Sequence, residues 1–160
     1  MRVEARIQAL GLVLPAAPKV PPGVTLSFAW TRVRSNRVYV SGHSPQAPDG
    51  TFPGPFGKVP GEVSLQAAQA AARATALSVL ASLKRELGDL DRVTAWLIVY
   101  GMVNAEPGYA QTTAVINGFS DLILELYGAE IGQHARIAVG MAALPLNNAV
   151  TIAAEVEFAP

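Results

Sequence analysis

The chain contains no cysteine, and its charges cancel, with 12 lysines and arginines against 12 aspartates and glutamates. Without thiols there is no disulfide framework, no thiolate nucleophile and no thiolate metal site. Without a basic excess or stripe, a nucleic-acid-binding surface is not expected. The sequence also lacks a polybasic or acidic block, a phosphate-binding glycine loop and a Gly-x-Ser-x-Gly elbow. Histidine is nearly missing too: His43 and His134 are the only two, and a metal would need a third ligand, so no metal is expected. The opening stretch "MRVEARIQALGLVLP" is broken by charge and glycine and reads as neither a signal peptide nor a membrane span. A cytoplasmic protein is the expectation.

What the chain does have is apolar residues, 51% over 160 positions, enough for one domain with a real core. That fraction is high for a small monomer and points to a buried subunit interface. Val3, Ile7 and Leu10 at helical spacing, followed by Gly11, predict a short N-terminal helix. The proline-rich "PAAPKVPPG" predicts an extended arm, since proline can neither continue a helix nor pair in a central strand. Helix and arm together are set apart as residues 1–22, with the main domain at 23–160.

Within that domain "TLSFAWTRV" (25–33) and "RVYVSG" (37–42) read as two strands joined by a turn at "RSN". A long proline- and glycine-dense loop, "HSPQAPDGTFPGPFG", follows, of a kind that is often functional. Ser64 predicts an N-cap for a helix over 65–87, striped by Leu65, Ala68, Ala72, Leu80, Leu83 and Leu87 and stopped by Gly88. "DRVTAWLIVYGMV" predicts a buried strand. A second long helix runs around 109–128, with Val115, Phe119, Leu122, Ile123 and Leu126 inward and Gly128 at its end. "ARIAVGMAAL" and "AVTIAAEVEF" close the chain as strands. The order β-β-α-β-α-β-β implies an α+β layer with the helices on one face of a sheet. Because "WLIVYGMV" offers water almost nothing, the other face either packs on another subunit or belongs to an unusually rich internal core.

Two positions invite chemistry. Arg136 stands at the start of an alternating strand, and its charge cannot be neutralised by losing a proton. It either snorkels to water from the strand end or waits for an anion. Ser41 ends a strand, beside a Gly42 that permits close backbone approach, although on its own such a pair is usually just a turn.

Three stretches, "VYVSGHSP", "DRVTAWLIVYGMVN" and "ARIAVGMAALPLNNAVTIAAEVEF", resemble the RidA (YjgF-like) family of reactive-intermediate, or enamine/imine, deaminases. The longer N-terminus and the "VINGFSDLILELYG" stretch resemble a branch labelled endoribonuclease L-PSP-like. The resemblance implies a chorismate-mutase-like single domain with a mixed sheet. It also implies a homotrimer with ligand pockets in clefts between subunits, and no cofactor. It makes Arg136 the anchor of a substrate carboxylate, with Ser41 and Gly42 lining the same pocket. A planar guanidinium suits a carboxylate through a bidentate, charge-assisted pair. Phe28 falls where many members carry a tyrosine, and so loses the hydroxyl.

The departure lies on the last strand, where the family's water-positioning glutamate aligns with Ala153. Glu155 lies two residues on, on the same face and about 7 Å further along, and is the candidate acid if the turn aligns differently. His134, two residues before Arg136, is either a substitute base or a surface residue. The expectation is a hydrolase of 2-imino or 2-enamino acids, with Arg136, Ser41 and Glu155 catalytic and Gly42, Phe28 and His134 lining the site. The alternatives are a non-catalytic binder of small carboxylates such as keto acids and, third, an endoribonuclease.

Overall fold

A computed structural model describes residues 2–160. In chain order the elements are α1 (Val3–Ala9), β1 (Thr31–Arg34), β2 (Arg37–His43), α2 (Leu65–Leu87), β3 (Val93–Asn104), α3 (Thr112–Gly132), β4 (Ala135–Met141) and β5 (Val150–Phe158). The five strands form one sheet in the order β1-β2-β5-β3-β4. β3 and β4 are parallel, joined by α3, and every other pair is antiparallel, so the sheet is mixed.

The sequence rules place the two long helices closely. Ser64 caps α2, its Oγ accepting the Ala67 N–H at 3.1 Å, and Gly88 ends it at a φ of +80°. Ala68, Ala72 and Ala76 are fully buried, which lets α2 approach both the sheet and α3. The two helices meet where Gly118 of α3 passes the Gln69 carbonyl, and a Cβ there would stand 2.1 Å from that oxygen. Gln69 Nε2 donates to the Ala114 carbonyl across the same seam at 2.9 Å. Trp96 of β3 anchors the core with Phe119 and Tyr127 of α3, both ring pairs edge-on at 5.9 Å.

Two boundaries differ from expectation. The first strand begins at Thr31 rather than near residue 25. The Ser41 N–H still reaches the Trp30 carbonyl at 3.0 Å, but residues 25–29 join no strand and run as irregular chain. The second long helix does not stop at Gly128. That residue leaves helical geometry at φ 75°, ψ 173°, and the chain then resumes to Gly132. α1 docks as well: Val3 and Ile7 are buried, and Arg6 donates to the Leu126 carbonyl of α3 at 2.8 Å.

α2 and α3 cover one sheet face. Val99, Gly101 and Val103 of β3 point into that layer, while Tyr100, with Ile137, Val139 and Met141 of β4, lies exposed on the other. That open face carries a large apolar area. No helix among the described residues is long and apolar enough to cross a membrane.

Candidate functional site

Arg136 is the second residue of β4, an edge strand, and register with Val99 turns it toward α3. Three groups on successive turns of α3 receive its guanidinium. Nη1 donates to Asn117 Oδ1 at 2.9 Å and to Ser120 Oγ at 3.0 Å, and Nη2 donates to the Thr113 carbonyl at 3.3 Å. All three acceptors are neutral, and Arg136 makes no ion pair among the described residues. Partial burial pulls its pKa down, against a smaller opposite pull from Asp121, and the group remains a cation at neutral pH. Among the described residues its Nε–H and one Nη2 hydrogen find no acceptor. A held, half-buried, unneutralised guanidinium is the arrangement that a carboxylate completes.

His134 joins the same cluster. Its Nδ1 meets the Gly132 carbonyl at 2.7 Å, which makes Nδ1 the protonated nitrogen, and Nε2 accepts from Ser120 Oγ at 2.9 Å. Burial holds its pKa below the ordinary value, with Arg136 adding to that effect. His134 is therefore neutral, and its basic nitrogen is already engaged.

The other expected residues lie elsewhere in the chain. Ser41 Oγ donates to the Ala29 carbonyl at 2.7 Å, so its proton is committed to backbone. Gly42 packs so closely that a Cβ would stand 2.9 Å from Thr151 Cγ2. Phe28 is 52% exposed and meets Trp30 edge-on at 5.1 Å. β2, which carries Ser41 and Gly42, is three strands from β4, roughly 14 Å across the sheet. Glu155 faces away from Arg136, on the open face beside Tyr39 and Ile98, where its Oε1 accepts from Arg37 at 2.8 Å. Within one chain, then, Arg136 and His134 come together, Phe28 and Gly42 come together, and Glu155 joins neither group.

The α3 residues that hold Arg136 were not singled out in the sequence. The signal was there: Thr113, Asn117 and Ser120 recur at four and three residues, a polar stripe on an otherwise apolar helix. Lys58 was also passed over. Its Nζ donates to Asn104 Oδ1 at 2.9 Å and to the Ala142 carbonyl, beside a cavity of about 550 Å³ at the C-terminal ends of β3 and β4. Among the described residues no group of three His, Cys, Asp or Glu side chains is placed to hold a metal ion.

Comparison with known proteins places this geometry in a family. The chain is 40% identical over 157 residues to protein TCP17 of Trypanosoma cruzi, covering 98% of this chain and 94% of that one. The crystal structure of Atu1372 from Agrobacterium tumefaciens, a protein of unknown function, is 36% identical with a TM-score of 0.85, over 98% of this chain and 91% of that one. A protein of Shewanella oneidensis MR-1 described as a "putative endoribonuclease" is 25% identical with a TM-score of 0.88, over 99% and 100% of the two chains. The family pattern described as "YjgF/chorismate mutase-like, putative endoribonuclease" matches residues 4–157. The chain belongs to the YjgF/chorismate mutase-like family, the one to which its three RidA-like stretches pointed.

Proposed function

We propose that this protein captures small 2-imino or 2-enamino acids through Arg136 and hydrolyses them to 2-keto acids and ammonia. The observation that carries the reading is the guanidinium of Arg136, held by Asn117, Ser120 and the Thr113 carbonyl with no carboxylate partner among the described residues. The substrate carboxylate supplies the missing negative charge. Water adds to C2 of the imine, the C–N bond breaks, and nitrogen leaves as ammonia with the proton balance closed by solvent. Imines are labile to water, so fixing the carboxylate beside an ordered water gives a rate without a dedicated base. The absent base costs speed, since general-base help is typically worth about 10²–10⁴-fold. A second copy on the apolar open face, in the trimer of the family, brings the Phe28 and Gly42 end of one chain toward the Arg136 end of another.

The test is a coupled assay in which an amino-acid oxidase generates 2-imino acids and semicarbazide traps what survives. Faster loss of imine with the protein than without it, abolished in a folded Arg136→Ala variant, is the expected result. No acceleration across several imino acids ends the hydrolase reading.

The second reading is a carboxylate-binding protein without turnover. Ala153 at the position of the family's glutamate, together with Glu155 paired to Arg37, favours it. Keto acids would then raise the melting temperature in an Arg136-dependent way while the imine assay stays silent. Zero net charge and a neutral, hydrogen-bonded His134 leave RNA cleavage the weakest of the three.

A further inference from the structure

We infer a second ligand site at the C-terminal ends of β3 and β4, a cavity that takes a small zwitterion, an α-amino acid with an apolar side chain. It does not rest on the carboxylate reading, since Arg136 is not among its walls. Arg136 lies four residues before Gly140, the first β4 residue in the wall, roughly 13 Å back along the strand. The cavity measures about 550 Å³, within the usual range of about 300–1,000 Å³ for small-molecule sites.

Two opposite charges line it, and neither is neutralised. Lys58 Nζ donates to Asn104 Oδ1 at 2.9 Å and to the Ala142 carbonyl, both neutral, which leaves one ammonium hydrogen open. Asn104 is fully buried and its Nδ2 donates to Asn147 Oδ1 at 3.1 Å, so the lysine meets a fixed acceptor. Among the described residues Glu106 forms no ion pair, with Lys58 or with any other cation.

The backbone sets the spacing between the two charges. Ala105 bridges Val59 in parallel, and the Glu106 N–H donates to the Val59 carbonyl at 2.9 Å. Asn104, which holds Lys58, and Glu106 flank Ala105, so in this extended stretch they share a face about 7 Å apart. That gap is wider than a direct ion pair. It suits a molecule whose carboxylate meets the Lys58 ammonium while its own ammonium meets the Glu106 carboxylate.

Gly61 makes room for the acid. A Cβ there would stand 2.1 Å from Glu106 Oε1, yet Gly61 is not among the glycines of positive φ, so its backbone does not itself call for glycine. The carboxylate lying against it accounts for the missing side chain. Pro107, Tyr109 and Ala142 supply the apolar wall, and the Tyr109 hydroxyl, buried without a partner, is a further donor left open.

L-Leucine, 4-methylpentanoate and 3-methylbutylamine serve as probes, the first with both charged ends and the others with one each. Calorimetric titration of the full-length protein should show saturable leucine binding. Each half-probe should bind about 10- to 100-fold more weakly, the worth of one hydrogen bond to a charged group. Lys58→Met should reduce leucine to the level of the amine, and Glu106→Gln should reduce it to the level of the carboxylate. If Lys58→Met does not fold, because Lys58 also ties its loop to Asn104 and Ala142, Glu106→Gln carries the test. Arg136→Ala should leave leucine binding intact, so either reading can fail while the other stands. Absence of leucine binding, equal affinity for the three probes, loss of binding in Arg136→Ala, or unchanged binding in Glu106→Gln would overturn the inference.

Discussion

A single hydroxyl joins Arg136 to His134. Ser120 Oγ accepts from the guanidinium at 3.0 Å and donates to His134 Nε2 at 2.9 Å, and His134 passes its own proton toward the Gly132 carbonyl. The same order of groups recurs on α2. Arg85 donates to Ser82 Oγ at 2.8 Å, Ser82 meets His43 Nε2 at 2.8 Å, and His43 Nδ1 meets the Ser41 carbonyl. In both relays a neutral histidine buttresses a serine against an arginine. The relay on α3 fixes the direction in which Arg136 presents its remaining N–H groups.

If this buttress positions the anion anchor, its loss should weaken carboxylate binding without abolishing it. Ser120→Ala and Asn117→Ala should each raise the Kd for pyruvate or 2-oxobutanoate about 3- to 10-fold, the worth of one or two hydrogen bonds. Arg136→Ala should remove measurable binding, and Arg136→Lys should restore only part of it, because an ammonium cannot reproduce the fork. Isothermal titration of the four variants separates positioning from contact. Equal loss in Ser120→Ala and Arg136→Ala would contradict this division of roles.

Glu155 provides the converse test. It sits on the open face, paired with Arg37 and remote from the relay. Glu155→Gln should leave imine turnover within about twofold of the parent, whereas a general base would cost about 10²–10⁴-fold. A loss of that larger size would make Glu155 the acid–base group and require a partner chain to bring it to Arg136.

Most of the architecture was legible because local rules and packing agree. Ser64 and Gly88 bound α2 through capping geometry, and the apolar run of β3 left its identity in little doubt. The N-terminal limit of β1 was not legible. "TLSFAW" has strand-like composition, yet its backbone pairing to β2 runs only as far as Trp30, whose carbonyl accepts the Ser41 N–H, and nothing in the local composition marks that limit. Arg136 stood out as a lone charge entering an apolar strand. Its three acceptors did not, since they lie 16 to 23 residues earlier and meet it only after β4 docks parallel to β3.

The α2–α3 seam should be intolerant at one glycine. Gly118 passes 2.1 Å from the Gln69 carbonyl if a Cβ is added, and the obstacle is backbone rather than a flexible side-chain tip. Gly118→Ala should lower unfolding free energy by about 1–3 kcal/mol, the usual cost of overpacking. Gly88→Ala, with open space at a positive φ, should be strained through its backbone alone. Urea unfolding of both variants measures the comparison, and an unperturbed Gly118→Ala midpoint would mean that the helices separate freely.

The open sheet face should govern assembly. Tyr100, Ile137, Val139 and Met141 are 41%, 49%, 38% and 37% exposed in the single chain, a contiguous apolar patch of the kind that marks interaction surfaces. Tyr100→Glu or Ile137→Glu should shift sedimentation from an oligomer to a monomer while the far-ultraviolet circular dichroism stays unchanged. A parent protein that already sediments as a monomer would show that this face is not an interface between copies.

His43 should make stability fall in mild acid. Burial lowers its pKa from 6.5 to about 4, with Arg85 adding to the effect. Above pH 6.5 the residue is neutral in both states and adds no pH dependence. Between 6.5 and about 4 the unfolded chain takes up a proton that the folded chain refuses, so stability drops as pH falls. Below about 4 both states are protonated and the loss is complete, at roughly 3 kcal/mol for the cited shift. His134 acts in the same direction, since burial lowers its pKa too. Carboxylates also begin to titrate at the acid end, so the informative quantity is the difference between the parent and His43→Gln, which keeps one donor and one acceptor in place. Urea midpoints at half-unit intervals from pH 7 to 4 should show a shallower decline in the variant. Parallel curves would mean that His43 is protonated in the fold, reversing the donor at Ser82 and breaking the relay as drawn.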